Sequence, residues 1–124
     1  MAFLRGNTLY ALSEPGSWTT TRTVARQLGG DLTAINDSGE NSDLQREFSG
    51  GFWIGFSDAA QEGRWSWSNG QSSGYSNWVS GEPRADTAAN HSWMVNNLSY
   101  GQWATRDGDG GALPGLMELP VIQR

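Results

Sequence analysis

The strongest constraint on this chain is where its tryptophans lie. Four of the seven fall between positions 53 and 78, within the stretch Gly51–Trp78. An enclosed indole removes roughly 200 Å² from water, so such a density fixes where the main core must form. Phe52, Trp53, Ile54 and Phe56 make a short apolar run that reads as a buried strand. Ser57-Asp58 and Glu62-Gly63 supply turn chemistry, and Trp65 and Trp67 then alternate with Ser66 and Ser68 at the strand period. Ser68-Asn69-Gly70 ends the second strand as a turn.

The rest of the chain punctuates itself around that centre. Leu9–Leu12 reads as a first strand, ended by Ser13-Glu14-Pro15-Gly16. Ser17 is an N-cap for a helix whose inward face takes Trp18, Thr21, Val24, Ala25 and Leu28, and Gly29-Gly30 stops it. Leu32–Ile35 reads as a short buried strand. Asp37 and Glu40 have the spacing of a capping box, opening a second helix that runs to about Phe48 with Leu44 and Phe48 inward. Val79–Asn90 has neither period and is a long polar loop. Ser92–Val95 and Tyr100–Trp103 are strands, Asp107–Gly115 is a glycine- and aspartate-rich loop, and Leu116–Leu119 closes the fold. The expected class is α+β, with two helices on antiparallel sheet, in one domain over residues 1–124.

Composition removes several functions. A formal net charge of −5 argues against a nucleic-acid partner, because phosphate binding needs a basic footprint. The apolar runs are far too short to span a bilayer, and no basic amphipathic stretch suggests membrane insertion. With no cysteine, disulfides and thiolate metal sites are excluded. That leaves a domain held by packing alone, or one made in a reducing compartment. Residues 1–10 lack the long apolar region of a signal peptide. They suit either a domain carried within a larger secreted protein or a chain not exported by the usual signal. The lone histidine, His91, stands in Asn90-His91-Ser92 without a Ser/His/Asp arrangement, and no glycine-rich phosphate loop precedes a helix. Catalysis therefore has no constellation to rest on.

FWIGFSD, EGRWSWSNG and Asn77–Pro83, NWVSGEP, occur in the order and spacing of the central block of the C-type lectin-like domain family, which this chain resembles. SWTTTRTVARQLGGDLTAI resembles that family's first helix and the turn after it. The resemblance implies a non-enzymatic recognition module, extracellular or at the cell surface, binding a glycan or a protein ligand through the long loop and adjacent strands. It also implies an alternative, a structural or adhesive domain stabilised by calcium. Ala25 and Met117 stand where many members have a cysteine pair. Gly108, with Trp93 or Met94, stands where the other pair falls, which suits a disulfide-free branch.

In that family a Glu-Pro-Asn or Gln-Pro-Asp triplet and a Trp-Asn-Asp triplet hold calcium and sugar. Here the triplets are Glu82-Pro83-Arg84 and Trp103-Ala104-Thr105. Calcium needs six to eight oxygens, and Arg84, Ala104 and Thr105 remove charged or amide ligands, so the usual sugar site is expected to be lost. The bond before Pro83 is often cis in members, and a Glu-Pro bond tolerates that form. The expected ligand contacts are Glu82, Arg84, Asp86, Asn90, His91, Thr105 and Asp107. Arg84 favours direct charge-assisted hydrogen bonds over calcium-mediated contacts. A separate structural calcium is implied at Glu40 and Glu118, with the carbonyl near Ala34. Two carboxylates brought together repel unless a cation or a donor lies between them.

Overall fold

The chain begins and ends in the same sheet. In the computed structural model, which describes residues 2–48, 50–84, 90–95, 101–107 and 112–121, strand β1 (Ala2–Arg5) pairs antiparallel with β2 (Thr8–Leu12). Strand β2 in turn pairs with the closing strand β8 (Leu116–Pro120). Strand β3 (Asp31–Leu32) completes the order β1-β2-β8-β3. A second sheet carries β4 (Phe52–Ser57), β5 (Ser66–Trp67), β6 (His91–Met94) and β7 (Trp103–Arg106) in the order β5-β4-β6-β7. Helices α1 (Trp18–Gln27) and α2 (Ser38–Glu47) complete the expected α+β architecture.

Helix α1 starts where the sequence puts it. The Ser17 hydroxyl accepts from the backbone N–H of Thr20 at 3.1 Å, satisfying one of the donors a helix start leaves free. Gly29, with φ of 93°, turns the chain out at the other end. Trp18, Thr21 and Ala25 are buried against the sheet, but Val24 is 37% and Leu28 56% exposed. The expected inward face is therefore too broad: three residues cover the strands beneath, and the neighbouring flank meets solvent. Gly30 lies so close to the last strand that a Cβ there would fall 2.0 Å from the carbonyl oxygen of Glu118.

Other expectations shift for local reasons. Strand β1 precedes the expected first strand and extends it into a hairpin. The expected strand Leu32–Ile35 shortens to Asp31–Leu32 because the next backbone groups serve both sheets. The Thr33 N–H donates to Leu116 O at 2.9 Å, and its carbonyl accepts from Gly55 N at 2.9 Å. The strand expected over Tyr100–Trp103 instead begins at Trp103, where pairing with Met94 starts; Tyr100 lies outside the described residues.

Strand alternation divides the second sheet into two faces. Phe52, Ile54, Ser92, Met94, Trp103 and Thr105 share one face by register, and most of them join the main core with Leu44, Phe48, Trp67 and Leu116. Trp53, Trp93, His91 and Arg106 share the other, beside the smaller cluster of Trp18, Leu32 and Trp53. Trp78 packs on the main core, stacked with Phe56 at 5.8 Å and edge-on to Trp103 at 5.8 Å.

Candidate functional site

The long loop leaves the core under tight backbone control. Val79 donates to the carbonyl of Trp103 at 2.8 Å, and Trp103 donates to Asn77 at 2.8 Å, so the loop departs alongside the start of β7. A turn closed by Glu82 N to Val79 O at 2.9 Å follows, and the Glu82–Pro83 bond is cis. These contacts turn the Glu82 side chain towards β7.

There it meets Thr105. Glu82 Oε1 accepts from the Thr105 backbone N–H at 2.7 Å and also from the Thr105 hydroxyl. Because that hydroxyl gives its proton to Glu82, its lone pairs remain for Arg84. Arg84 Nε donates to Thr105 Oγ1 at 3.1 Å, and Nη2 donates to the Thr105 carbonyl at 3.1 Å. Glu82 Oε2 lies 3.8 Å from Arg84 Nε, an ion pair without a direct hydrogen bond. Three of the expected contacts thus form one unit at the loop's base.

A calcium ion does not fit this unit. Glu82 Oε1 and Thr105 Oγ1 already accept protons, and a guanidinium stands beside them, where a second cation would be repelled.

The remaining expected contacts are placed differently. His91 pairs with Arg106 in the ladder, one residue along from the Ser92–Thr105 pair, and so points to the opposite face from Thr105. Its ring stacks on Trp18 with centroids 4.1 Å apart, and Nδ1 lies 3.0 Å from Ser57 Oγ. Asn90 contributes its backbone, accepting from Ser57 Oγ at 2.8 Å and Asp58 N at 3.0 Å. Asp107 is exposed just past the end of β7. Asp86 lies outside the described residues. The expected site therefore divides into a Glu82–Arg84–Thr105 unit and a His91 that supports the aromatic wedge behind it.

Glu40 and Glu118 are also held by donors of the protein itself. Glu40 Oε2 accepts from the buried Tyr10 hydroxyl at 2.6 Å, and Oε1 accepts from Asn36 N at 2.9 Å. The capping box is consequently half-formed: Asp37 Oδ1 accepts from Glu40 N at 2.7 Å, while Glu40 reaches one residue further back than Asp37. Glu118 Oε1 accepts from the Thr33 hydroxyl at 2.9 Å and Ala34 N at 3.1 Å. Burial pushes the Glu118 carboxyl up, against these hydrogen bonds and with help from the Glu40 charge. Burial and the Glu40 carboxylate likewise raise the Tyr10 phenol far above its ordinary range. Tyr10 supplies the donor that a cation would otherwise replace.

A carboxylate that the sequence reading took for turn chemistry stands out instead. Asp58 is fully buried; Oδ2 accepts from Gly63 N at 2.9 Å, but Oδ1 has no hydrogen-bond partner among the described residues. Among those residues it is the one buried carboxylate oxygen without a hydrogen-bond partner. One carboxylate falls short of a calcium shell, and among the described residues no three His, Cys, Asp or Glu side chains gather to hold a metal. The signal available in sequence was the spacing Asp58 to Gly63, which closes a loop around the carboxylate.

Residues 14–110 match the family described as the lectin C-type domain. Ladderlectin of Oncorhynchus mykiss is 38% identical over 93 residues, covering 70% of this chain and 49% of its own length. The chain spans 22% to 49% of the length of the first curated relatives it matches. Among solved structures, a calcium-independent type II antifreeze protein superposes with a TM-score of 0.89 at 20% identity, covering 98% of this chain and 92% of its own. The cow carbohydrate-recognition domain of CD23, solved in the presence of a GlcNAc2Man3 oligosaccharide, gives 0.86 at 25% identity, covering 98% and 95%. No described helix is long and apolar enough to cross a membrane.

Proposed function

The chain belongs to the C-type lectin domain family, and on that premise we propose that it is a non-enzymatic module that binds a glycan or protein ligand directly, without calcium as intermediary. The observation that carries this reading is the position of the Arg84 guanidinium. It is bonded to Thr105 and paired with Glu82, in the loop where the family resemblance puts a calcium ligand. Arg84 is the single basic residue of Val79–Asn90, and 51% of its side chain is exposed. The ligand meets Arg84 and the loop around it, with Asp86, Asn90 and Asp107 as further contacts. The domain acts at the cell surface or outside the cell, as part of a longer protein.

Screening against a glycan array and a panel of extracellular proteins, with calcium and again with chelator, tests this. Binding that survives chelator and is lost in Arg84→Ala, with the fold intact, is the expected result. Binding that disappears in chelator would return the ligand to a metal. No ligand in either panel, together with a calcium-dependent rise in stability, would favour a structural or adhesive domain instead.

A further inference from the structure

Arginine has five N–H donors arranged as two forks, one along its side and one at its end. In Arg84 the side fork is spent inside the protein, since Nε meets Thr105 Oγ1 and Nη2 meets Thr105 O. The Arg84 backbone N–H also approaches Oγ1, at 3.4 Å. With both ends of that edge tied to one residue, the guanidinium plane cannot swing. Thr105 is itself buried in the ladder and fixed by Glu82 through two hydrogen bonds. The end fork, Nη1 with the second proton of Nη2, is left over: among the described residues no acceptor meets Nη1. A half-exposed arginine held rigid on one edge and open on the other is preorganised for a planar two-oxygen acceptor, and preorganisation removes part of the entropic cost of binding.

The charge balance narrows the acceptor. Glu82 stands 3.8 Å away and partly offsets the guanidinium, and the chain as a whole carries −5. A planar carboxylate group brings two oxygens and one unit of charge to the fork's two parallel N–H donors, which suits a guanidinium already partly offset by Glu82 better than a doubly charged tetrahedral phosphate does. We propose that the end fork of Arg84 takes the carboxylate of an acidic saccharide, a uronic acid in a glycan chain. This rests on the recognition reading above and specifies its ligand class. A saccharide is preferred to a peptide because the solved relative at 25% identity was determined with an oligosaccharide.

The test is titration calorimetry in chelator with three probes, namely pentagalacturonate, its fully methyl-esterified form, and pentaglutamate. The Arg84 Nε–H resonance is followed in parallel. Pentagalacturonate should bind and shift that resonance, and the ester should not bind. Arg84→Lys keeps the charge but has no planar fork, and should weaken binding at least about tenfold. Thr105→Val removes the Oγ1 acceptor of Nε and leaves the edge held by the backbone carbonyl alone, and should weaken binding by less than Arg84→Lys does; the melting temperature of each variant shows that the domain still folds. Equal binding of acid and ester, or an unchanged Arg84→Lys, overturns the carboxylate assignment. Binding of pentaglutamate alone overturns the saccharide assignment in favour of a peptide. Failure of all three probes, while a neutral glycan binds in an Arg84-dependent way, overturns this proposal and leaves the recognition reading standing. Failure across the broad panels as well removes both.

Discussion

Replacing Asn41 by alanine should cost more than any other single polar truncation in the helix that it occupies. Asn41 is 3% exposed, and both halves of its amide are used across the fold. Oδ1 accepts the Trp103 indole N–H at 2.8 Å, and Nδ2 donates to Gly101 O at 3.0 Å. The two losses are unequal. Gly101 O keeps a second donor, Asn77 Nδ2 at 3.1 Å. Trp103 is fully buried, so its N–H would be left without an acceptor. An orphaned buried donor costs about 1–3 kcal/mol, and the lost hydrogen bond and small void bring the total to about 2–4 kcal/mol. For a domain of this size that is a fall in Tm of roughly 8–15 °C. Gly101 has a φ of 76° and lies against the Asn41 amide, so this truncation also loosens the turn into β7. Urea melts of Asn41→Ala, Trp103→Phe and the double variant separate the terms. Phenylalanine has no N–H to orphan, so the Asn41→Ala penalty should shrink by about 1–2 kcal/mol in that background. A loss below about 0.5 kcal/mol, or the same loss in both backgrounds, would refute the reasoning.

Three further outcomes follow from the buried charges. Unfolded tyrosine ionises near pH 10 whereas folded Tyr10 keeps its proton, so the folded state binds more protons and stability should fall as pH rises above about 10; Tyr10→Phe should flatten that limb in urea melts between pH 9 and 11. Asp31 is the opposite case. Burial raises it, but Arg22, the Leu32 N–H and Ser68 together hold it below the usual carboxylate range. Its contribution is complete above the unfolded value near 3.8 and is lost as pH falls through the lower folded value, so Asp31→Asn should be destabilised by about 3 kcal/mol at pH 7 and should lose part of its acid slope. Calcium at about 1 mM should move Tm by less than about 1 °C. A larger rise abolished by Asp58→Asn would place the cation at Asp58, and one abolished by Glu40→Gln would restore the Glu40–Glu118 site.

What the sequence disclosed follows the range of its signals. Helix α1 was legible from Ser17 to Gly29 because caps and the apolar period act within a few residues. The tryptophan-rich centre was legible because indoles have few places to go. Strand β1 was not, since four residues ending in Arg5 gain stability only by pairing with β2. The Tyr10–Glu40 bond joins residues 30 apart, and no local pattern announces it. The resemblance set Glu82, Arg84 and Thr105 among seven expected ligand contacts, but that these three bond to one another needed coordinates. His91 was separable in principle. If His91–Met94 and Trp103–Arg106 are antiparallel neighbours, alternation sets His91 and Thr105 on opposite faces once the register is known. A one-residue slip would have reversed that outcome, and only the structure supplies the register.

The absence of cysteine acquires a physical answer in the indole nitrogens. Trp18 Nε1 donates to Ile54 O at 2.8 Å, Trp53 Nε1 to Gly16 O at 2.9 Å, and Trp103 Nε1 to Asn41 Oδ1 at 2.8 Å. These bonds span 36, 37 and 62 residues. The first two run in opposite directions between the segment around α1 and strand β4, so each ring fills the core and fixes the approach of the other's backbone. Trp67 marks the contrast, because its buried N–H has no partner among the described residues and its ring stacks on Phe56 at 4.3 Å. Ala25 and Met117, the residues at the family's cysteine positions, are both buried and close the space without a bond between them. A disulfide acts largely by restricting the unfolded chain, whereas an indole bond acts only in the folded state. Stability here must therefore come wholly from native contacts, and it should be indifferent to the redox state of the surroundings. The directional N–H bonds of three tryptophans are among those contacts.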